Sequence, residues 1–258
     1  SDGCHCRLAG RGPCKAGFGR LIRWAVLALF WASSAVAVTC EDMTSAGNRY
    51  TVCTVDVAVE DLRLFLRDGD GHILGNFRNI DDTLGDTRLA FAMNAGMYHE
   101  DRAPVGHFVQ DGVQAMRIVP NAGPGNFGLL PNGVLCINDA DARVYETLQF
   151  VEDAPVCRDA TQSGPMLVID GALHPRFLPD GTSKYIRNGV GTSDDGSTAM
   201  FVISNDVVNF HAFGVFFRDV LRTPNALYFD GKVSRLHAPN LGRSDVGFWL
   251  GPIVGVVE

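Results

Sequence analysis

Beyond residue 37 the dipeptide Asp-Gly occurs seven times, at Asp68, Asp70, Asp111, Asp170, Asp180, Asp195 and Asp230. Both residues tolerate positive φ, so each copy is a place where the chain can reverse within two residues. Asn132-Gly133 adds another, and the 29 glycines extend the pattern. A chain punctuated this often is confined to short strands joined by tight turns. Residues 88–98 (RLAFAMNAGMY) read as a buried strand running into a glycine turn. Two strands are expected around each of Asp111-Gly112, Asn132-Gly133 and Asp170-Gly171, in segments 105–119, 125–137 and 165–175. Residues 55–66 (VDVAVEDLRLFL) read as one strand, ended by the turn-rich RDGDGH of 67–72.

One segment carries a helical period. In 209–222 (NFHAFGVFFRDVLR), Phe210, Phe213, Phe217, Val220 and Leu221 recur at spacings of three and four behind a capping Asn209. Thr223-Pro224-Asn225 stops it. It sits between the strand-like 198–204 and 226–229. The expected fold class is therefore α+β: a single domain, mainly mixed or antiparallel β-sheet, with a few flanking helices.

Residues 1–37 read as a leader rather than as part of that domain. Arg7, Arg11, Lys15, Arg20 and Arg23 precede the apolar Trp24–Trp31, and Ala35-Val36-Ala37 supplies a small-x-small cleavage site. The apolar stretch of roughly 15 residues is short for a bilayer span of about 20. Cysteine usage agrees with export. Cys40, Cys53, Cys136 and Cys157 follow the leader, an even number suited to an oxidising compartment. Three connectivities are open, and neighbour pairing, Cys40 with Cys53 and Cys136 with Cys157, closes the shorter loops. The expected location is exported, periplasmic or extracellular, with membrane contact only through the N-terminal segment.

Without the leader, 17 of the 22 basic and 28 of the 29 acidic residues remain, a net charge near −11. That balance argues against a nucleic-acid partner. An anionic substrate would need a local cluster of cations to meet it. No metal-ligand spacing stands out, and no cofactor is expected.

Several segments concentrate polar groups at strand ends. Asn94 and Gly96 close one apolar run, and Gln162, Ser163 and Gly164 open another. Lys184, Arg187, Gly189 and Gly191 crowd into KYIRNGVG. Glycines there let main-chain N–H groups approach a ligand, and an arginine can grip an oxyanion with two parallel hydrogen bonds. Taken singly, each has a structural explanation: a turn cap, a satisfied carbonyl, a surface ion pair.

Taken in order, FAMNAGMY, ATQSGPMLVIDG, IRNGVGTSDDGSTAMFVIS and ALYFDGKVSRL resemble the phosphodiester glycosidase family, over roughly residues 55–257. That family includes the enzyme that uncovers mannose 6-phosphate tags on lysosomal hydrolases, and the likeness is to its exported bacterial branch. One departure stands out. The uncovering enzymes resemble each other in an Asp-Gly-Gly-Gly-Ser run, whereas here Asp230, Gly231 and Ser234 match and Lys232 and Val233 do not. Bulkier side chains there narrow the expected pocket.

The resemblance implies hydrolysis of a sugar-1-phosphodiester in envelope or extracellular glycans, with a carbohydrate or sugar phosphate as substrate. The leaving phosphate monoester has a second pKa of about 6, so it departs with little acid help but its charge must be held. Arg187 is assigned that task, with Lys184 or His107 as lesser candidates. A carboxylate must steady the cationic sugar carbon or activate water, and Asp230 is assigned it. Asn94, Ser163, Gly164 and Ser234 would bind hydroxyls or phosphate oxygens, with Gly96, Gly191 and Gly231 admitting the ligand. Glu100 and Asp101 are reserve carboxylates. The rival reading is a non-catalytic glycan-binding envelope protein of the same fold. A serine hydrolase using Ser163 with His107, His174 or His211 lacks the G-x-S-x-G elbow, since the sequence is Thr161-Gln162-Ser163-Gly164-Pro165. A cysteine transpeptidase would need a thiol that disulfides consume.

Overall fold

Two of the seven Asp-Gly pairs adopt the positive-φ geometry of a two-residue hairpin: Asp111-Gly112 (50° and 76°) and Asp170-Gly171 (45° and 79°). They belong to a computed structural model that describes residues 38–258, so the leader assigned to residues 1–37 lies outside the described residues. In chain order, β1 (Thr39–Ser45) and β2 (Asn48–Asp56) form the first hairpin. After β3 (Asp61–Phe65) come α1 (Phe77–Asp81) and β4 (Leu89–Asn94). The hairpin β5 (Phe108–Gln110) and β6 (Val113–Met116) precedes β7 (Gly133–Ile137), β8 (Ala142–Glu146) and α2 (Thr147–Asp153). Next are β9 (Asp159–Ser163), β10 (Met166–Ile169), β11 (Ala172–Leu173), β12 (Asn188–Thr192) and β13 (Thr198–Ser204). The helix α3 (Phe210–Val215) widens into a π turn over Phe216–Val220. It is followed by β14 (Asn225–Asp230), β15 (Leu236–Ala238), β16 (Arg243–Ser244) and β17 (Ile253–Val257).

A seven-stranded sheet runs β1-β2-β13-β12-β14-β10-β11, and two five-stranded sheets run β16-β15-β4-β17-β3 and β6-β5-β9-β7-β8. Every strand pairing among the described residues is antiparallel. The fold is α+β and dominated by antiparallel sheet, as the turn punctuation requires.

Strand alternation builds the core. In β14, Leu227 and Phe229 enter a cluster fed by all three sheets, with Phe91, Leu135, Phe201 and Val254. Ala226 and Tyr228 turn to the other face, where Tyr50, Phe213, Phe216 and Phe217 pack. Thus α3 and its π turn cover the outer face of the seven-stranded sheet, and Tyr50 stacks on Phe216 with ring centroids 4.0 Å apart. Each buried phenylalanine contributes on the order of 2 kcal/mol. Asn209 caps the helix as expected, its Oδ1 accepting from the Ala212 N–H at 2.8 Å.

Two strand expectations need correction. Residues 55–66 are not one strand, because Asp56 and Glu60 close a turn between β2 and β3. The Asp56 N–H donates to Glu60 Oε2 at 2.7 Å, and Asp56 Oδ1 accepts from Ala58 N–H at 3.1 Å. The two halves consequently enter different sheets. Asn132-Gly133 is not a hairpin either. Asn132 is buried and donates from Nδ2 to the Phe127 carbonyl at 2.9 Å, while Gly133 opens β7 opposite both Glu146 and Ser163.

Both disulfides follow neighbour pairing, Cys40–Cys53 and Cys136–Cys157. Cys40 and Cys53 face each other directly across the β1–β2 hairpin. The second closes a longer loop, with a sequence separation of 21. Cross-links of that span stabilise by about 3 kcal/mol. Replacing Cys136 and Cys157 with serine should lower the urea-unfolding free energy by about that amount. An unchanged midpoint and slope would contradict it.

Candidate active site

The strand β14 does not run straight to its end. Gly189 pairs with Tyr228 but Asn188 with Asp230, so Phe229 is an extra residue in the ladder. Its carbonyl accepts instead from Ser163 Oγ at 3.0 Å. Bulges of this kind re-aim the residues beside them. The next dipeptide, Asp230-Gly231, lacks the positive φ of a hairpin turn. Asp230 Oδ1 accepts from the Gly231 and Lys232 N–H groups at 2.6 and 2.9 Å, folding the loop around its own carboxylate. Gly231 is required because a Cβ there would lie 2.2 Å from Tyr228 Oη.

A buried amide pair anchors this loop. Asn188 Nδ2 donates to the Asn94 carbonyl at 2.8 Å, and Asn94 Nδ2 donates back to Asn188 Oδ1 at 3.3 Å. Asn188 Oδ1 also accepts from the Asp230 N–H at 3.2 Å and from Ser234 Oγ at 3.3 Å. Asn94 Oδ1 takes the Arg235 N–H at 2.8 Å. Both amides are fully buried, and they join β4 of one sheet to β12 and β14 of another.

Arg187 is fully buried as well. Its guanidinium donates to the Val208 carbonyl at 2.9 Å, the Ser183 carbonyl at 2.8 Å and Tyr228 Oη at 3.2 Å. It also lies over the Phe210 ring, 3.6 Å from the centroid. Burial pulls its pKa down, and contact with Tyr228 offsets part of that. Burial also pushes the Tyr228 phenol well above its ordinary range, so it remains a neutral donor.

Tyr228 and Asp230 meet at a cavity of about 570 Å³ walled by Tyr98, Asn126, Phe127, Ser183, Tyr185 and Lys232, among others. Among the described residues of its walls, Asp230 is the one carboxylate and Lys232 the one cation, and Arg187 stands behind Tyr228 rather than on the surface. Burial raises the Asp230 pKa above its ordinary 3.8, against the lowering by the Lys232, Gly231 and Val233 N–H groups and the Lys232 charge. A half-buried carboxyl in aromatic surroundings suits acid–base or cation-stabilising chemistry.

Residues 87–237 match the phosphodiester glycosidase family, a span that holds every residue of this cavity wall and of its amide anchor. The chain belongs to the phosphodiester glycosidase family. The uncharacterized protein YigE of Escherichia coli K12 is 29% identical over 234 residues, 90% of each chain. Among solved structures, a hypothetical protein from Synechocystis superposes with a TM-score of 0.59 at 13% identity, covering 85% of this chain and 61% of that one. The chain thus spans about three fifths of that relative. The zebrafish N-acetylglucosamine-1-phosphodiester alpha-N-acetylglucosaminidase catalytic domain, auto-inhibited by pro-peptide, gives 0.56 at 12% identity, covering 85% of this chain and 81% of the other.

Within this phosphodiester glycosidase fold, the residues singled out in the sequence separate into groups. Asp230 and Gly231 reach the cavity wall, and Asn94 and Ser234 hold the loop behind it. Ser163 supports the Phe229 bulge. Gly164 and Gly191 occupy close-packed positions, where a Cβ would meet Asn132 Cβ and Thr223 Oγ1, each at 2.6 Å, and Gly96 lies against Thr161. His107 faces a different depression beside Phe150, with Nδ1 3.0 Å from the Met116 carbonyl. Burial lowers its pKa and keeps it neutral. Glu100, Asp101 and Lys184 are exposed and line no part of the cavity. Asn188, Tyr228, Tyr98 and Tyr185 were not read from the sequence. The available signal for Asn188 was an amide directly after Arg187 at the mouth of a glycine-rich strand.

Replacing Asn188 with alanine would strip partners from the buried Asn94 carbonyl and amide and from the partly buried Asp230 N–H. The expected loss is about 3–5 kcal/mol in chemical denaturation. A loss under about 1 kcal/mol would show that the pair is not structural.

Proposed function

We propose that this chain is an exported hydrolase that cleaves the bond between a sugar carbon and a phosphodiester oxygen, with Asp230 as the reacting carboxylate. Family membership supports hydrolysis at the coarse level. The observation that carries the finer reading is the single carboxylate in the cavity. Ordinary glycosidases need two, one to protonate the leaving alcohol and one to meet the sugar carbon. A phosphate monoester leaves as an anion without that proton, so one carboxylate suffices.

In this reaction water adds to the sugar carbon as the carbon–oxygen bond to phosphate breaks, and the electron pair departs with the phosphate. Asp230 faces the developing positive charge or takes the proton of the attacking water. Its Oδ1 is held by two N–H groups from its own loop, which fixes the carboxylate without consuming it. Tyr228 stands on the same wall as a neutral hydrogen-bond donor. Arg187 acts through it: the guanidinium donates to Oη, which polarises the phenol and directs its proton away from Arg187. Arg187 is thereby a positioning residue, not a direct phosphate clamp. The two disulfides support an oxidising compartment, periplasmic or extracellular.

Purified protein should release free sugar from a sugar-1-phosphodiester, and Asp230→Asn should lower kcat by about 10²–10⁴-fold with the fold retained. Binding of such ligands without turnover by the wild type would favour a glycan-binding protein of the same fold. The pH profile follows from the sign of the shift. Asp230 must be ionised, so activity rises with pH through its pKa, which burial holds above 3.8. The acidic limb of kcat/KM should therefore fall at higher pH than for an exposed aspartate and should vanish in Asp230→Asn. A flat profile down to pH values near an ordinary aspartate pKa would refute the assignment.

A further inference from the structure

We infer that Lys232 is the phosphate-recognition residue of the cavity, the group that makes it select an anionic substrate. This rests on the sugar-phosphodiester reading, but it has a readout of its own. The argument begins with the disposition of positive charge. Arg187, the obvious cation in the sequence, has its Nε, Nη1 and Nη2 engaged by Val208, Tyr228 and Ser183 and is sealed from solvent. It sits behind the wall formed by Tyr228, Ser183 and Tyr185 and does not itself line the cavity. Lys184 is exposed and lies off the wall, and His107 faces another depression. Among the described residues that line the cavity, only Lys232 carries a positive charge.

Its placement matches the need. Lys232 lies two residues beyond Asp230, and its main-chain N–H, 2.9 Å from Oδ1, locks the loop that carries both side chains. The ammonium makes no ion pair with Asp230 or with any other acid among the described residues. An internal pair would cancel both charges. Kept apart on one wall, they form a dipolar site whose negative end suits a cationic sugar carbon and whose positive end suits the departing phosphate. The side chain is exposed, so it has the freedom to follow the phosphate as the bond lengthens. Farther out, Arg102 sits over the Tyr98 ring at 5.4 Å and Arg235 lies within electrostatic reach of the same tyrosine.

The test is calorimetric titration of the full chain with inorganic phosphate at fixed ionic strength. Lys232→Ala should weaken phosphate binding by about tenfold or more, whereas Lys232→Arg should keep it within about threefold. Lys232 is exposed, so both variants should melt with the wild type. Alanine binding phosphate as tightly as the wild type, or no phosphate binding by the wild type, overturns the inference. Turnover of a phosphodiester separates the two readings. If turnover proceeds and Lys232→Ala does not raise KM, Lys232 is excluded and the hydrolase stands. If phosphate binding depends on Lys232 but no phosphodiester is cleaved, recognition stands and hydrolysis falls.

Discussion

The reciprocal hydrogen bonds between Asn94 and Asn188 are the contact on which the rest of the site depends. They lie where one five-stranded sheet meets the seven-stranded sheet, and both amides are out of reach of water. A buried amide without partners is expensive, so such a pair holds only when both sheets arrive in register. Once formed, it accepts the Asp230 and Arg235 N–H groups and the Ser234 hydroxyl. The loop carrying Asp230 and Lys232 is thus pinned at both ends by side chains from elsewhere in the chain. The carboxylate's position is set by sheet docking rather than by the loop's own preferences.

A second constraint is electrostatic. Arg187 is a buried cation with no acid paired to it among the described residues, stabilised by carbonyls, a phenol and an aromatic face. It touches the cavity wall from behind, through Tyr228, Ser183 and Tyr185. Asp230, by contrast, keeps access to the cavity but loses solvation, which raises its pKa. One wall therefore offers a carboxylate, a neutral phenol and an ammonium. In the proposed reaction a single acid suffices because the phosphate leaves as an anion, where a poorer leaving group would require two.

Particular residues show how far the sequence could be read. The hairpins at Asp111 and Asp170 were legible because positive φ is a local demand that Gly and Asp meet locally. The Asn209 cap and the phenylalanine period of α3 were legible for the same reason. The strand break at Asp56–Glu60 was missed, because two acids on either side of Val57-Ala58-Val59 close a turn that alternation alone does not reveal. Arg187 was recognised as special, but its burial behind Tyr228 depends on the helix and strand that enclose it. His107 was read as a lesser phosphate-holding candidate for the same site as Asp230, yet the two face separate cavities.

The order of motifs was enough to indicate the family, and the turn punctuation to expect a mainly mixed or antiparallel sheet; of the three disulfide connectivities left open, the expected neighbour pairing is the one the structure holds. Asp230-Gly231 was the ambiguous case. Its dipeptide is the same as those at 111 and 170, yet it forms no hairpin. The Ser163 hydroxyl that satisfies the adjacent Phe229 bulge and the Asn188 amide that takes the Asp230 N–H come from strands 66 and 42 residues away in sequence. Local chemistry allowed either outcome at Asp230, and contacts made only after the sheets close selected a cavity wall over a turn.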